Sequence, residues 1–225
     1  MTQKNWPVLT SLIISTMVFM GCGSSYHSIA LSTLHGPEVA KPGEVVSGLA
    51  ASAASSQYYT LGDFDTKFTH IPFPLAYARL GLNSTIDVGL KMWGVPVVAT
   101  GGLAVDCQYV VLEEPTKLSV DLEISWAHRM DLDLGSNRFI NLIGFFPAIL
   151  VGSKSLYAGA KLVNVLGFEG ASATVPGGFG GLSFGGNLKD FGEIRVFCES
   201  TFFPRSAEPP LIFYAFGVQL IFNTE

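Results

Sequence analysis

The sequence predicts an all-β protein, a closed antiparallel up-and-down transmembrane β-barrel of about ten strands, with eight or twelve as the alternatives. Three observations predict it: segments in which apolar and polar residues alternate, an apolar chain without a second long apolar run, and connections that tend to alternate between short and long. Only 14% of the 225 residues are charged. A spanning helix needs a run of about 18 or more consecutive apolar residues, and the sequence after residue 22 contains no such run. Such a chain either buries a very large core or meets lipid through strands.

The alternation is clearest in residues 118–126, which read Leu, Ser, Val, Asp, Leu, Glu, Ile, Ser, Trp. A period of two gives a strand one apolar face. The pattern recurs, and it predicts strands at residues 43–55, 70–81, 84–93, 99–111, 117–126, 139–150, 155–165, 176–185, 191–203 and 211–222. Residues 139–150 are apolar on both faces, so an inserted helix is the alternative there, although Pro147 disfavours a regular helix.

The predicted connections are of two kinds. Short turns fall at residues 82–83, 112–116, 151–154 and 186–190, and longer loops at residues 56–69, 127–138, 167–174 and 204–210. Residues 94–98 are predicted to form a further tight hairpin on the external side. Membrane barrels have short periplasmic turns and longer external loops, so an even strand count places both chain ends in the periplasm. Aromatic residues near strand ends are expected either to form interfacial girdles or simply to pack; they are Tyr58, Tyr59, Trp93, Trp126, Phe202, Phe203, Tyr214 and Phe222.

The second face of the predicted strands mixes Gly, Ala and Ser with isolated charges of both signs. Burying an unpaired charge is costly, so these charges are expected to pair within a narrow polar lumen. The candidate lumen charge network is Arg79, Asp87, Lys91, Asp106, Asp121, Glu123, Lys161, Glu193, Arg195 and Glu199. It either plugs the lumen or lines a narrow passage, and the plugged form is preferred because about ten strands leave little free interior.

The N-terminus carries Lys4, a mostly apolar run over residues 6–20, and then Gly21-Cys22. The run is too short to span a bilayer and is typical of a secretory signal. It resembles the signal of bacterial lipoproteins, which implies that Cys22 becomes the diacylated first residue and that the destination is the outer membrane. An ordinary signal peptide that leaves a free Cys22 is the alternative. The domains expected are a signal at residues 1–21, a periplasmic tether at 22–42 and the barrel at 43–225.

The chain from residue 43 to 222 resembles the small outer-membrane β-barrels of Gram-negative bacteria. The resemblance rests on the amphipathic hairpin formed by residues 77–82 and 86–91 and on the aromatic Phe222 near the C-terminus. It implies outer-membrane lipid as the surroundings, and lipoprotein-processing and barrel-assembly machinery as partners in biogenesis. A net charge of −5 without a basic patch argues against nucleic acid.

Signals for catalysis, cofactors or metals are weak. The four histidines lack paired ligand spacing, so no metal and no cofactor are expected, and no enzyme activity. Ser125 or Asp131 together with His128 would be the candidates for a lipid-modifying enzyme. Cys107 and Cys198 fall on apolar faces of strands that are not neighbours, which predicts free thiols facing lipid.

The function expected is that of a lipid-anchored outer-membrane barrel with a structural or narrow-pore role. One alternative is a lipid-tethered periplasmic barrel that binds a hydrophobic ligand, with its charged face outside. The other is the lipid-modifying enzyme.

Overall fold

The computed structural model describes residues 33–54, 58–61, 64–67, 73–95, 100–131, 138–167, 172–188, 192–204 and 210–222. The predicted signal and residues 22–32 lie outside the described residues. In these ranges the chain forms twelve strands and no helix. The strands are β1 Val45–Ala54, β2 Tyr58–Leu61, β3 Phe64–Lys67, β4 Phe73–Gly81, β5 Ile86–Val95, β6 Thr100–Leu112, β7 Lys117–Asp131, β8 Arg138–Gly152, β9 Leu156–Gly167, β10 Ser172–Leu188, β11 Gly192–Phe203 and β12 Leu211–Phe222.

Ten of these strands close into one antiparallel barrel. From β4 to β12 each strand pairs with the next along the chain, and β1 pairs with both β4 and β12. The closing ladder runs from Val45 opposite Phe222 to Ala54 opposite Phe213. Closure pairs the sheet edges that would otherwise be left open. The predicted fold class, a closed antiparallel barrel of ten strands, is confirmed.

The two ends of the barrel differ. At the end called here the turn end, short turns join β4 to β5, β6 to β7 and β8 to β9, and β1 begins beside the last residue of β12. The side chain of Asn83 accepts the backbone N–H groups of Thr85 and Ile86, both at 2.8 Å, which closes the first of these turns locally. Gly192 opens β11 with a φ of +107°, a conformation suited to glycine. The opposite end is called the loop end.

The strand predictions hold along the barrel, with differences at the loop end. Residues 138–152 form strand β8 and not a helix. β7 continues to Asp131 and β10 begins at Ser172, inside segments predicted as loops. The loop predicted at residues 56–69 contains the hairpin of β2 and β3. Residues 94 and 95 of the predicted tight hairpin belong to β5, and its residues 96–98 lie outside the described residues.

The barrel is apolar outside and polar inside. Large apolar side chains project outward from every barrel strand, and the most exposed are Phe184 at 69%, Leu156 at 63% and Leu166 at 61%. Scattered exposed apolar residues are ordinary in a soluble protein, but a continuous apolar band is not. Both described cysteines are free, Cys107 exposed and Cys198 half-buried, on this outer face. Within the described residues, no helix is long and apolar enough to cross a membrane.

Two of the aromatic residues considered for a girdle face inward instead. Trp93 is 6% exposed and Phe203 is 1% exposed. The alternation places both on the inner face of their strands, where glycines leave room for large rings. A Cβ at Gly177 would lie 2.5 Å from the Phe203 ring, for example. Trp126, Phe202, Tyr214 and Phe222 are exposed on the outer face, and the side chains of Tyr58 and Tyr59 lie outside what the structure describes.

Candidate functional site: the filled lumen

The inward positions of the strands bring the predicted charges into the lumen. Nine of the ten predicted network residues are at most 7% exposed, and the tenth, Glu193, is partly buried at the turn end. Ion pairs in three groups join seven of them, which are Arg79, Asp87, Asp106, Lys91, Glu123, Glu193 and Arg195. Residues 33–40 of the chain run among these groups. The lumen is therefore filled by side chains and by the protein's own N-terminal segment, the name used here for residues 33–40.

The first group centres on Arg79 in β4. Its guanidinium pairs with Asp87 of β5 through Nη2 and lies 2.7 Å, through Nη1, from Asp106 of β6. All three side chains are at most 4% exposed. Asp106 lies directly opposite Gly89, and a Cβ there would lie 2.4 Å from its Oδ1. Gly89 thus provides the space in which the Asp106 carboxylate reaches Arg79.

The second group lies deeper in the lumen. Lys91 of β5 donates to Glu123 of β7 at 2.7 Å, and both side chains are almost fully buried. Lys161 of β9 is 6% exposed, with its Nζ 5.2 Å from the centre of the Phe179 ring. Buried pairs of this kind contribute less through attraction than they would cost if one partner were lost.

The third group lies at the turn end. Glu193 accepts from Lys154 at 2.8 Å and from Arg195 at 2.6 Å. Arg195 also donates to the hydroxyl groups of Ser183 and Ser155, at 3.1 and 3.0 Å. Beside this group the turn end opens into a cavity of about 590 Å³, with Glu38, Lys41 and Tyr157 among its lining residues.

Glu199 of β11 holds the inner end of the N-terminal segment. Its carboxylate accepts the backbone N–H of Thr33 at 2.6 Å and that of Leu34 at 2.7 Å, and the Tyr157 hydroxyl donates to it at 3.0 Å. Glu199 lies seven positions after Gly192 and four before Phe203, so the segment reaches beyond the middle of β11. Several charge-assisted bonds to one carboxylate make a strong attachment.

Polar groups on other strands hold the rest of the segment. The backbone carbonyl of Leu34 accepts from Gln219 at 3.0 Å, and that of Gly36 accepts from Gln108 at 3.0 Å. Nearer the turn end, the N–H of Ala40 donates to Asp87 at 2.9 Å. The segment is thereby bound to β5, β6, β11 and β12. These bonds satisfy backbone groups that would be costly to bury unpaired.

The expected periplasmic tether differs from the structure over its last residues. Thr33, Leu34, His35 and Ala40 are at most 8% exposed, and the segment leaves the lumen only at Lys41 and Pro42. Polar and irregular composition is equally suited to a tether and to a segment whose backbone is bound by side chains. Residues 22–32 of the predicted tether lie outside the described residues.

Toward the loop end the lumen is apolar. Buried side chains from most strands pack around Leu34, and they include Leu75, Trp93, Leu142, Phe203 and Phe213. Phe203 and Phe213 meet edge to face with ring centres 6.0 Å apart. Among the described residues, the lumen thus holds a polar layer toward the turn end and a mainly apolar layer toward the loop end.

Sequence reasoning missed the uncharged partners in the lumen. Gln108 and Gln219 occupy inward positions of strands with an alternating sequence. Their place in that alternation is the sequence feature from which a position in the lumen could have been predicted. The sequence pattern predicts no lumen contact for Tyr157 or His35 either. His35 lies 3.6 Å from Asp121, Nε2 to Oδ2, although the two residues are far apart in sequence.

The residues considered for an enzyme do not come together. Ser125 is 3% exposed in the lumen. His128 lies an odd number of positions further along β7, hence on the opposite face, where it stacks on Trp126 and lies 3.0 Å from Asn141. Ser125 and His128 therefore cannot act as nucleophile and base, since these must be within hydrogen-bond reach. The side chain of Asp131 lies outside what the structure describes.

No protein-family model matches this chain, and no curated protein matches it. Among solved structures, the outer-membrane protease OmpT from Escherichia coli is 9% identical, covering 87% of this chain and 100% of its own, with a TM-score of 0.41. The NanC porin is 10% identical, with 77% and 98% covered and a TM-score of 0.40. Ail, the attachment invasion locus protein of Yersinia pestis, is 14% identical, with 80% and 99% covered and a TM-score of 0.25. No activity, ligand or site residue of these proteins is assigned to this chain on that similarity.

Proposed function

We propose that this chain is a lipid-anchored outer-membrane β-barrel whose lumen is closed by its own N-terminal segment, and that its role is structural. The observation that carries the proposal is the binding of residues 33–40 to inward side chains on four strands, from Asp87 near the turn end to Glu199 beyond the middle. A narrow passage would require this segment to leave the lumen.

The distribution of polarity supports a membrane location. The outer face carries apolar side chains on every barrel strand, while the charges face inward. In a membrane, lipid would contact the apolar outer face, and the inward charges would pair with one another in the lumen. A soluble carrier of hydrophobic ligands needs the reverse arrangement, with charges outside and an apolar interior, so the face polarity disfavours that alternative. The turn end carries the short turns, the start of β1 and the end of β12. In a membrane barrel this end then faces the periplasm.

The length of chain before the lumen supports an anchor at Cys22. Ten residues separate Cys22 from Thr33. Ten residues span at most about 36 Å when extended, which is enough to connect a lipid at the membrane surface with the interior of a barrel. Attachment through acyl chains would add to the hold of a spanning barrel.

Conductance tests the closed lumen. The full chain is inserted into planar bilayers, with a heat-dependent shift in gel mobility confirming that the barrel is folded. We expect no steady current. Removing residues 33–40 takes Leu34 out of the apolar layer but leaves the layer's side chains on the barrel wall, so we expect brief openings from that variant and no wide, steady pore. A stable ohmic current through the unaltered chain would contradict the proposed closure.

Metabolic labelling tests the anchor. Cells that express the full chain receive a palmitate analogue, and we expect label in the parent chain and none in Cys22→Ser. Cys107→Ser and Cys198→Ser are the matched controls, since they remove the other two cysteines, and both retain the label. Equal labelling of Cys22→Ser and its parent would contradict a lipid at this position.

A further inference from the structure

A second feature of the lumen goes beyond its closure, and it lies where the N-terminal segment meets β6 and β7. His35, Asp106 and Asp121 are 8%, 3% and 2% exposed. One ligand atom of each residue lies within 4.8 Å of the others. Three side chains of the types that bind cations thus converge at a buried position, two from the barrel wall and one from the segment.

The orientation of His35 leaves a lone pair aimed at a carboxylate. Its Nδ1 lies 3.2 Å from the backbone carbonyl of Gly36, which can only accept, so Nδ1 carries the proton. In the neutral ring, Nε2 is then an acceptor, and it lies 3.6 Å from Oδ2 of Asp121. The distance of 3.6 Å is longer than the roughly 2.7–3.2 Å of ordinary N–H···O hydrogen bonds. His35 Nε2 and Asp121 Oδ1 are both buried without a hydrogen-bond partner, while Asp106 Oδ1 lies 2.7 Å from Nη1 of Arg79.

The charges around this position do not balance. Asp87, Asp106 and Asp121 carry three negative charges, and Arg79 contributes one positive charge through its contacts with the first two. With His35 neutral, three minus one leaves two negative charges in the group. Lys91 also attracts Asp106 and Asp121, but the negative charge of its partner Glu123 offsets its positive charge, so including both residues leaves the count at two. An uncompensated buried charge is costly, so a divalent cation at this position restores neutrality.

We propose that His35, Asp106 and Asp121 bind a divalent cation of the zinc type. Zn²⁺ takes imidazole nitrogen and carboxylate oxygen at about 2.0–2.2 Å, which puts neighbouring ligands of a tetrahedral site about 3.4 Å apart. The 3.6 Å between His35 and Asp121 is close to that spacing. Asp106 can serve both Arg79 and the cation, since an ionised carboxylate accepts at about four lone-pair positions. Calcium and magnesium prefer oxygen alone and fit this set less well.

The surroundings resemble those of histidine ligands in metal sites. Such a histidine usually donates its other ring N–H to a carbonyl or carboxylate, which fixes the ring and exposes the ligating nitrogen. His35 has this arrangement through Gly36, whose carbonyl also accepts from Gln108 at 3.0 Å. Because His35 belongs to the N-terminal segment and both aspartates to the wall, the cation fastens the segment inside the lumen.

Zinc titration of the full chain tests this site. The protein is purified without a polyhistidine tag, folded in detergent, stripped with a chelator, and titrated with Zn²⁺ against a chromophoric competitor. We expect one equivalent to bind to the unaltered chain. His35→Gln and Asp121→Asn are each expected to weaken binding at least about tenfold. His35→Gln alters only the segment, so it remains informative should Asp121→Asn fail to fold.

His128→Gln is the matched control. His128 is also a histidine in the described barrel, but it lies on the outer face next to Asn141, and its loss is expected to leave zinc binding unchanged. Absence of stoichiometric binding in the unaltered chain overturns the proposal, as does equal affinity in His35→Gln. Either result leaves the closed lumen standing, because conductance tests that separately.

Discussion

The carboxylate of Glu199 accepts the backbone N–H of Leu34 at 2.7 Å, between residues 165 positions apart in the sequence. This contact joins the start of the described chain to its penultimate strand in the interior of the barrel. Strand pairing alone requires no such contact, because the ladders of β11 are complete with β10 and β12. The contact therefore belongs to the filling of the lumen and not to the formation of the wall.

Replacing Glu199 with Gln is expected to loosen the N-terminal segment. One oxygen becomes an NH₂ group that faces a donor, so a charge-assisted hydrogen bond worth about 1.5–3 kcal/mol is lost. Access to the segment should then rise about tenfold or more. The readout is the rate of thiol labelling at Thr33→Cys in a chain with Cys22→Ser, Cys107→Ser and Cys198→Ser, so that residue 33 carries the one thiol. Thr33 suits this substitution because its hydroxyl has no hydrogen-bond partner.

Glu44→Gln serves as the control for that experiment. Glu44 accepts one backbone N–H, from Lys41 at 2.9 Å, in an exposed position at the turn end. Its replacement should leave labelling of residue 33 unchanged. If Glu199→Gln and Glu44→Gln label at the same rate as their parent, the segment is not held by Glu199.

Replacing Arg79 with Met is expected to destabilise the barrel strongly. Asp87 and Asp106 then lose their common cation while remaining buried, and breaking a buried pair in this way typically costs about 3–5 kcal/mol. Urea unfolding in lipid vesicles measures the change. Adding Asp106→Asn to Arg79→Met should recover part of the loss, since one unpaired charge is removed.

Lys154→Met provides the comparison for Arg79. Its pair with Glu193 is more than a third exposed on the lysine side, so its loss should cost less than about 1 kcal/mol. Similar losses of unfolding free energy for Arg79→Met and Lys154→Met would show that the charges in the lumen are hydrated. That result would contradict the buried pairing of Arg79 with Asp87 and Asp106.

Replacing Gly89 with Ala is expected to disturb Asp106. The added Cβ would lie 2.4 Å from the carboxylate oxygen, so the side chain must move away from Arg79. Overpacking of this kind costs about 1–3 kcal/mol. Gly186→Ala is the control, since nothing lies within 4 Å of a Cβ there. Equal unfolding free energies for the two variants would contradict a specific place for Asp106.

The barrel wall could be predicted from the sequence because its pattern is local. Alternation along a strand decides which side chains face inward, and it correctly placed Asp87 and Lys91 on the face opposite Leu90 and Met92. β7 and β10 extend beyond the predicted limits because backbone pairing with a neighbour continues where the alternation weakens. Pairing between strands is not visible in the pattern of one strand.

The contents of the lumen could be predicted only in part. Inward charges were found because a charge on a strand facing a small lumen demands a partner. The position of the N-terminal segment in the lumen could not be predicted, because its backbone N–H and carbonyl groups make most of its hydrogen bonds. Every residue has such backbone groups, so the sequence does not mark the ones that bind. His35 lies beside Asp121 only after the segment has entered the barrel, and no spacing in the sequence records that approach.

The outer face gives the sharpest test of a membrane location. Ile124 is 60% exposed at the middle of β7, and Leu82 is 53% exposed in a turn at the turn end. Arginine at the midplane of a membrane barrel costs about 2–4 kcal/mol, while near the interface it costs about 0–1 kcal/mol. We therefore expect Ile124→Arg to lower the free energy of unfolding in lipid vesicles by several times as much as Leu82→Arg. In a water-soluble barrel both positions would face solvent, and the two arginines would have equally small effects. Equal, small effects would therefore contradict the membrane assignment while leaving the closed barrel itself intact.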